Sequence, residues 1–201
     1  MKRPKYISKA RISFEETSWD VYHLFDIHDE LIRSSLLIKR GEKADVLVKS
    51  TYLFITACWE SYIEDLCEEA LLCLLSDNIK GRGWVGNVLK KHRHELVQSF
   101  NTPKSSNINQ LYADTIGITK LTNSWKWNGM TTSQAQSKLG TYIKIRGAIA
   151  HRTQTMTPIS RQNAEDYLDF IEILVSKTER RVQNYVKRIT GKYFGKEDRR
   201  Y

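Results

Sequence analysis

The stretch TYLFITACWESYIEDLCEEALLCLL, Thr51 to Leu75, decides the fold, because its apolar residues return every three or four positions. Leu47, Val48, Thr51, Phe54, Ile55, Cys58, Trp59, Tyr62, Ile63, Leu66, Ala70, Leu71 and Leu74 make one stripe, which predicts a helix from Glu42 to about Leu75. Lys43, Asp45, Lys49, Glu64, Asp65, Glu68 and Glu69 fall on the other side, as on a helix with one solvated face. Glu60 is the exception. It lies beside Trp59 and Ile63 at the apolar boundary, where a carboxylate can hold an arginine such as Arg146.

Outward from this helix the same period recurs. Trp19, Tyr22, Leu24, Phe25, Ile27, Leu31, Ile32 and Leu36 predict a helix from about Thr17 to Arg40, ended by Gly41 and preceded by a basic, loose start over residues 1–16. Gly81, Gly83 and Gly86 mark a turn before a short basic helix from Asn87 to Phe100, whose His92 and His94 diverge too far on a helix to ligate one metal. Residues 101–130 turn to Asn, Ser, Thr and Gly and read as an insertion, with one amphipathic piece at Ile108, Leu111, Tyr112 and Ile116. Trp125 and Trp127 are expected to pack this insertion on the core, with base stacking the sharper alternative. A helix starting near Thr131 to Ser133 runs to His151. Thr157-Pro158 then predicts the start of a last helix reaching about Thr190, followed by a basic tail over residues 191–201. The expected architecture is all-α: one domain spanning residues 1–201, an up-and-down bundle of four to five main helices with a polar helical or loop insertion.

The 32 Lys and Arg against 23 Asp and Glu give a net charge of +9, which favours a polyanionic partner such as nucleic acid or an anionic surface. Cys58, Cys67 and Cys73 lack a C-x-x-C spacing and read as buried reduced thiols, so a reducing, cytoplasmic setting is expected. No apolar run reaches the length of a membrane span, and Met1-Lys2-Arg3-Pro4-Lys5 leads into polar sequence. No resident metal or cofactor is expected, since no carboxylate or histidine ligand cluster stands out.

The chemistry concentrates in Lys144-Ile145-Arg146-Gly147-Ala148-Ile149-Ala150-His151-Arg152. Arginine offers a permanent charge in a planar fork matched to phosphate oxygens, and histidine exchanges a proton near neutral pH. Arg146 and His151 are the candidate catalytic pair, with Lys144 and Arg152 as candidate RNA-binding flanks. The plainer reading is a helix end with a surface arginine and a histidine beside the helix dipole. Five residues put the two about 140° apart on an ideal helix, so one helix alone makes a poor pocket. Two copies crossing at the small Gly147 and Ala150 would bring both pairs to one cleft.

Arg146-Gly-Ala-Ile-Ala-His151, on the penultimate helix of an all-helical chain, resembles the R-x(4-6)-H motif of the HEPN superfamily. The segments Phe100 to Tyr112, Gly117-Ile118 and Trp125 to Met130, followed by the motif, resemble its RiboL-PSP-HEPN branch over roughly Thr51 to Val175. The resemblance implies a HEPN-like bundle that forms a homodimer, with the motifs of both protomers in a composite cleft. It also implies a metal-independent endoribonuclease of toxin, antiviral or abortive-infection type, acting on RNA and paired with an antitoxin or other defence-system partner. Gly147 departs from the polar residue that many active members carry after the motif arginine. That departure keeps open a catalytically inactive dimer that binds RNA, a nucleotide or a partner protein.

Overall fold

The computed structural model describes residues 6–34, 39–78, 100, 102–152 and 158–197. Along the chain it has β1 (Tyr6–Ile7), α1 (Lys9–Arg33), α2 (Arg40–Asn78), α3 (Ser105–Ile116), a 3-10 turn (Leu121–Ser124), α4 (Thr132–Arg152), α5 (Arg161–Thr190) and β2 (Lys196–Glu197). The fold is an all-α, HEPN-like bundle, as expected, and its one small sheet is the antiparallel pair β1 and β2.

Helix α2 is the axis. Val48, Tyr52, Ile55, Trp59, Tyr62, Ile63, Leu66 and Ala70 are buried along it, and α1, α3, α4 and α5 all pack against it. α1 runs antiparallel to α2, with Lys9 at Glu69 and Phe14 on Tyr62. It is antiparallel to α5 as well, since Ser8 meets Glu179, Tyr22 meets Glu172 and Arg161 meets Asp29.

The expected loose start over residues 1–16 is corrected from Tyr6 onward. α1 begins at Lys9, eight residues before Thr17, because Ser8 caps it and carboxylates from far along the chain take up the backbone N–H groups that a helix start leaves unpaired. The Ser8 Oγ accepts from the Arg11 amide at 3.0 Å, and Glu69 accepts from the Lys9 amide at 2.7 Å and from Ala10 at 3.3 Å. Ser8 in turn donates from its amide and its hydroxyl to the two oxygens of buried Glu179, each at 2.8 Å. The Tyr62 hydroxyl stands 3.1 Å from Glu179 Oε2, and Gln183 donates to Oε1 at 3.3 Å.

Residues 191–197 are likewise anchored rather than frayed. Gln183 bonds both the carbonyl and the amide of buried Phe194, and β2 pairs with β1. Gly195 has φ +91°, and a Cβ there would come within 2.0 Å of the Ile7 carbonyl, so only glycine lets the two ends close.

Three further expectations shift. Gly41 lies inside the first turn of α2 and does not end a helix; α1 stops at Ser34, and Lys39 turns the chain at φ 59°. α5 begins at Arg161, because Ser160 and Asn163 form a reciprocal capping box that displaces the expected Thr157-Pro158 start. The segment read as an insertion is part of the core. Ile108, Leu111, Tyr112 and Ile116 of α3 are buried, Tyr112 donates to the Ile63 carbonyl at 2.9 Å, and the Trp125 indole donates to Thr178 at 2.9 Å. Trp127 packs on Phe170, so both tryptophans serve packing as expected. Trp19, Ile27 and Ile32, placed on the apolar stripe by their spacing, are exposed. The expected basic helix from Asn87, its glycine-rich lead, Leu36, Thr157 and the outermost basic residues of both ends lie outside the described residues. Among the described residues no helix is long and apolar enough to cross a membrane.

Candidate functional site

Helix α4 is set by its start. The Thr131 amide donates to the Gln134 side chain at 2.8 Å and the Gln134 amide donates back to the Thr131 hydroxyl at 3.3 Å, a reciprocal cap. Ala135, Leu139, Tyr142 and Ile149 are buried and share one stripe. Arg146, one turn beyond Tyr142 and three residues before Ile149, falls on that same stripe and is half-buried. His151 falls on the opposite side of α4 and is exposed, as is Lys144. Arg152 closes the helix, its side chain outside the described residues. Within one chain, then, Arg146 and His151 are not brought together.

Arg146 has instead an acidic and aromatic neighbourhood. Glu60, one turn after Thr56 on α2, is half-buried; burial pushes its carboxyl up, and the charge of Arg146 pulls it back. The two attract across space without a direct ion pair between them. One turn on, burial and the charges of Glu60 and Asp65 push the Glu64 carboxyl up to about 7. Beneath lies a floor of three tyrosines. Tyr142 stacks on Tyr167 at 4.2 Å between centroids, Tyr52 sits against Tyr167 at 4.7 Å, and the Tyr167 hydroxyl bonds Thr56 at 3.1 Å. Burial raises the Tyr167 phenol, with Arg146 opposing and Glu60 adding. The fully buried Tyr52 hydroxyl has no hydrogen-bond partner among the described residues.

Tyr52 escaped the sequence reading, although Val48, Tyr52, Ile55 and Trp59 follow one helical stripe that marks it as core. Among the described residues nothing requires glycine at position 147, where a Cβ would meet no atom within 4 Å. Gly140, on the same outer side, is equally unencumbered. A shallow depression of about 520 Å³ lined by Lys126, Trp127, Met130, Thr131 and Thr132 lies at the opposite end of α4, about 20 Å along the helix from Arg146, and is separate from the motif. Among the described residues no three His, Cys, Asp or Glu side chains are grouped to hold a metal ion.

What this arrangement offers chemically is a half-buried guanidinium on a rigid base, held near a carboxylate that does not neutralise it by direct pairing. An anion arriving from outside meets unspent donors there. Beside it, the outer side of α4 presents an exposed histidine between small residues.

Compared with known proteins, the chain matches the sequence model of the RiboL-PSP-HEPN family over residues 15–184. No curated protein matches it, and neither does any solved structure.

Proposed function

From the premise that the chain belongs to the RiboL-PSP-HEPN family, a family of the HEPN superfamily, we propose that it is a metal-independent endoribonuclease working as a homodimer. The observation that carries this reading is the half-buried Arg146, attracted by Glu60 but not directly paired with it. The reacting phosphate would lie against Arg146, whose fixed charge stabilises the oxygens of the pentacoordinate phosphorane. One His151 takes the proton of the ribose 2′-hydroxyl as that oxygen attacks phosphorus. The bond to the 5′-oxygen breaks, and the leaving oxygen receives its proton from the His151 of the second copy. The products are a 2′,3′-cyclic phosphate and a 5′-hydroxyl, and DNA is inert because it lacks the nucleophile.

The second copy answers the geometry of α4, where Arg146 and His151 diverge. Approach across Gly147 and Gly140, where no atom of the chain would obstruct a Cβ, supports a close crossing of two such helices. Glu60 serves as the counter-charge that holds Arg146, and Lys144 and Arg152 steer the RNA backbone. A toxin or antiviral role, held in check by a partner protein, follows the family reading. The alternative is a catalytically silent dimer that binds RNA, a nucleotide or a partner protein, favoured by the glycine at position 147 where many active members carry a polar residue.

Cleavage of labelled total RNA in excess EDTA separates the two. Wild type is expected to leave 5′-hydroxyl ends, and His151→Ala and Arg146→Ala to lose about 10²- to 10⁴-fold in rate. RNA that is bound but never cut by wild type establishes the silent dimer instead.

A further inference from the structure

We propose that the outward face of α1 docks a cationic polypeptide segment of another protein, one arginine or lysine of which seats over the Trp19 ring. This does not depend on the ribonuclease reading. At 100° per residue, Glu16, Trp19, Tyr22, His23, Asp26 and Glu30 lie within about 60° of one line along the helix. They stand opposite the stripe of Ala10, Phe14, Val21 and Phe25 that enters the core. Trp19 is 64% exposed and Tyr22 39%, with Ile27 at 51% on the edge of the same face. An indole left this far in water forgoes a large burial gain, and such side chains anchor interfaces. Within the chain the Trp19 ring meets Tyr22, at 5.8 Å between centroids.

Carboxylates flank that face. Glu16, Asp20 and Asp26 are exposed on α1, and α5 adds Asp169 and Glu172. The Tyr22 hydroxyl donates to Glu172 at 3.1 Å, which fixes this edge of the face. Burial and the charges of Glu172, Asp169 and Glu165 push the Tyr22 phenol up to about 12, as a locally negative field requires. Two neighbouring cations are already engaged, Arg11 with Glu15 and Arg161 with Asp29 and Glu165, while Arg33 is exposed on the last turn of α1, about 20 Å along the helix from Trp19. Asp20, Asp26 and Asp169 have no ion pair among the described residues.

In a chain of net charge +9, a face of this sign repels the polyanions that the remaining surface attracts. An aromatic ring among unpaired carboxylates is complementary to a guanidinium or ammonium group, through cation–π attraction and charge together. A second copy fits less well. Its exposed Arg180, Arg181, Lys187 and Arg188 lie on the later turns of α5, away from the earlier turns that carry Asp169 and Glu172, and Trp19 would find no such cation on the matching face of α1.

The test uses fluorescein-labelled hexa-arginine, with hexa-glutamate and a twelve-nucleotide oligouridylate as controls. Anisotropy is followed with wild type, Trp19→Ala and Asp20→Asn/Asp26→Asn, and thermal melts confirm that the variants fold. Saturable binding of hexa-arginine by wild type, weakened about tenfold in both variants at unchanged Tm, is expected. The proposal is overturned if wild type does not bind hexa-arginine or if Trp19→Ala binds it equally well. Loss of oligouridylate binding in Trp19→Ala, or a wild-type dimer that this variant converts to monomer in sedimentation, also overturns it, because either puts a different occupant on the face.

Discussion

Glu179 and Glu60 are both carboxylates drawn into the bundle, yet their surroundings are opposite. Glu179 is fully buried and accepts from the Ser8 amide, the Ser8 hydroxyl, Tyr62 and Gln183, so its capacity is filled from within the chain. Glu60 is half-buried, has the charge of Arg146 nearby and no direct ion pair with it. Saturated hydrogen bonding makes a lock, because the Ser8 amide and hydroxyl would be stranded if the carboxylate left. A carboxylate and a guanidinium held near each other without direct pairing leave donors for an incoming anion, which is what the proposed receptor requires.

The sharpest way to break this contrast is Glu179→Ala. It strands three kinds of donor in a dry environment, and a loss of about 3–5 kcal/mol in denaturant unfolding is expected. If Glu179→Ala costs no more than Glu60→Ala, the lock and the receptor are not different in kind. Tyr62→Phe removes one hydroxyl from the lock, shared between Glu179 and the Val175 carbonyl, and about 1–2 kcal/mol should go with it.

The receptor side carries the pH dependence. The Glu64 carboxyl, raised from its ordinary 4.5 to about 7, holds a proton in the fold over a range where the unfolded chain has released it. A raised carboxyl favours the fold at low pH, and stability falls as pH rises through that window. Glu64→Gln abolishes the loss. It should stabilise the protein at pH 8 by on the order of 1 kcal/mol, discounted for the solvent that reaches the group, and leave stability at pH 4 unchanged. Thermal melts at the two pH values check it, and a gain at pH 4 alone reverses the sign. The smallest effect is expected for the stability of His151→Ala, within about 0.5 kcal/mol, because the ring is exposed.

The placement of the proposed receptor's residues was largely legible in the sequence, because it follows local rules. Arg146 and His151 lie on one helix whose cap and period are written in Thr131 to Ile149, and Glu60 betrays itself as a charge at an apolar boundary. The lock was not legible. Ser8 and Glu179 are 171 positions apart, and neither carries a local pattern that names the other. Hence the early start of α1 and the anchored residues after Thr190 could not be read from periodicity. The same periodicity overcounted the core at Trp19, Ile27 and Ile32, since spacing records which residues share a face and not whether that face is covered. The capping box at Ser160 was overlooked because Asn163 stands where Glu or Gln is the familiar partner.

The pairing of Ile7 with Lys196 also has a consequence in time. At about 5–20 residues per second, the first strand waits roughly 10 to 40 s after its own synthesis for its mate to be made. Helices α1 and α2 can zip together early, but the Ser8, Tyr62 and Gln183 donors close only when the last turns of α5 and Phe194 have arrived. Arrival of residues 179–196 thus acts as a gate on maturation: a chain stopped before them exposes unpaired donors, which is what quality-control proteases select.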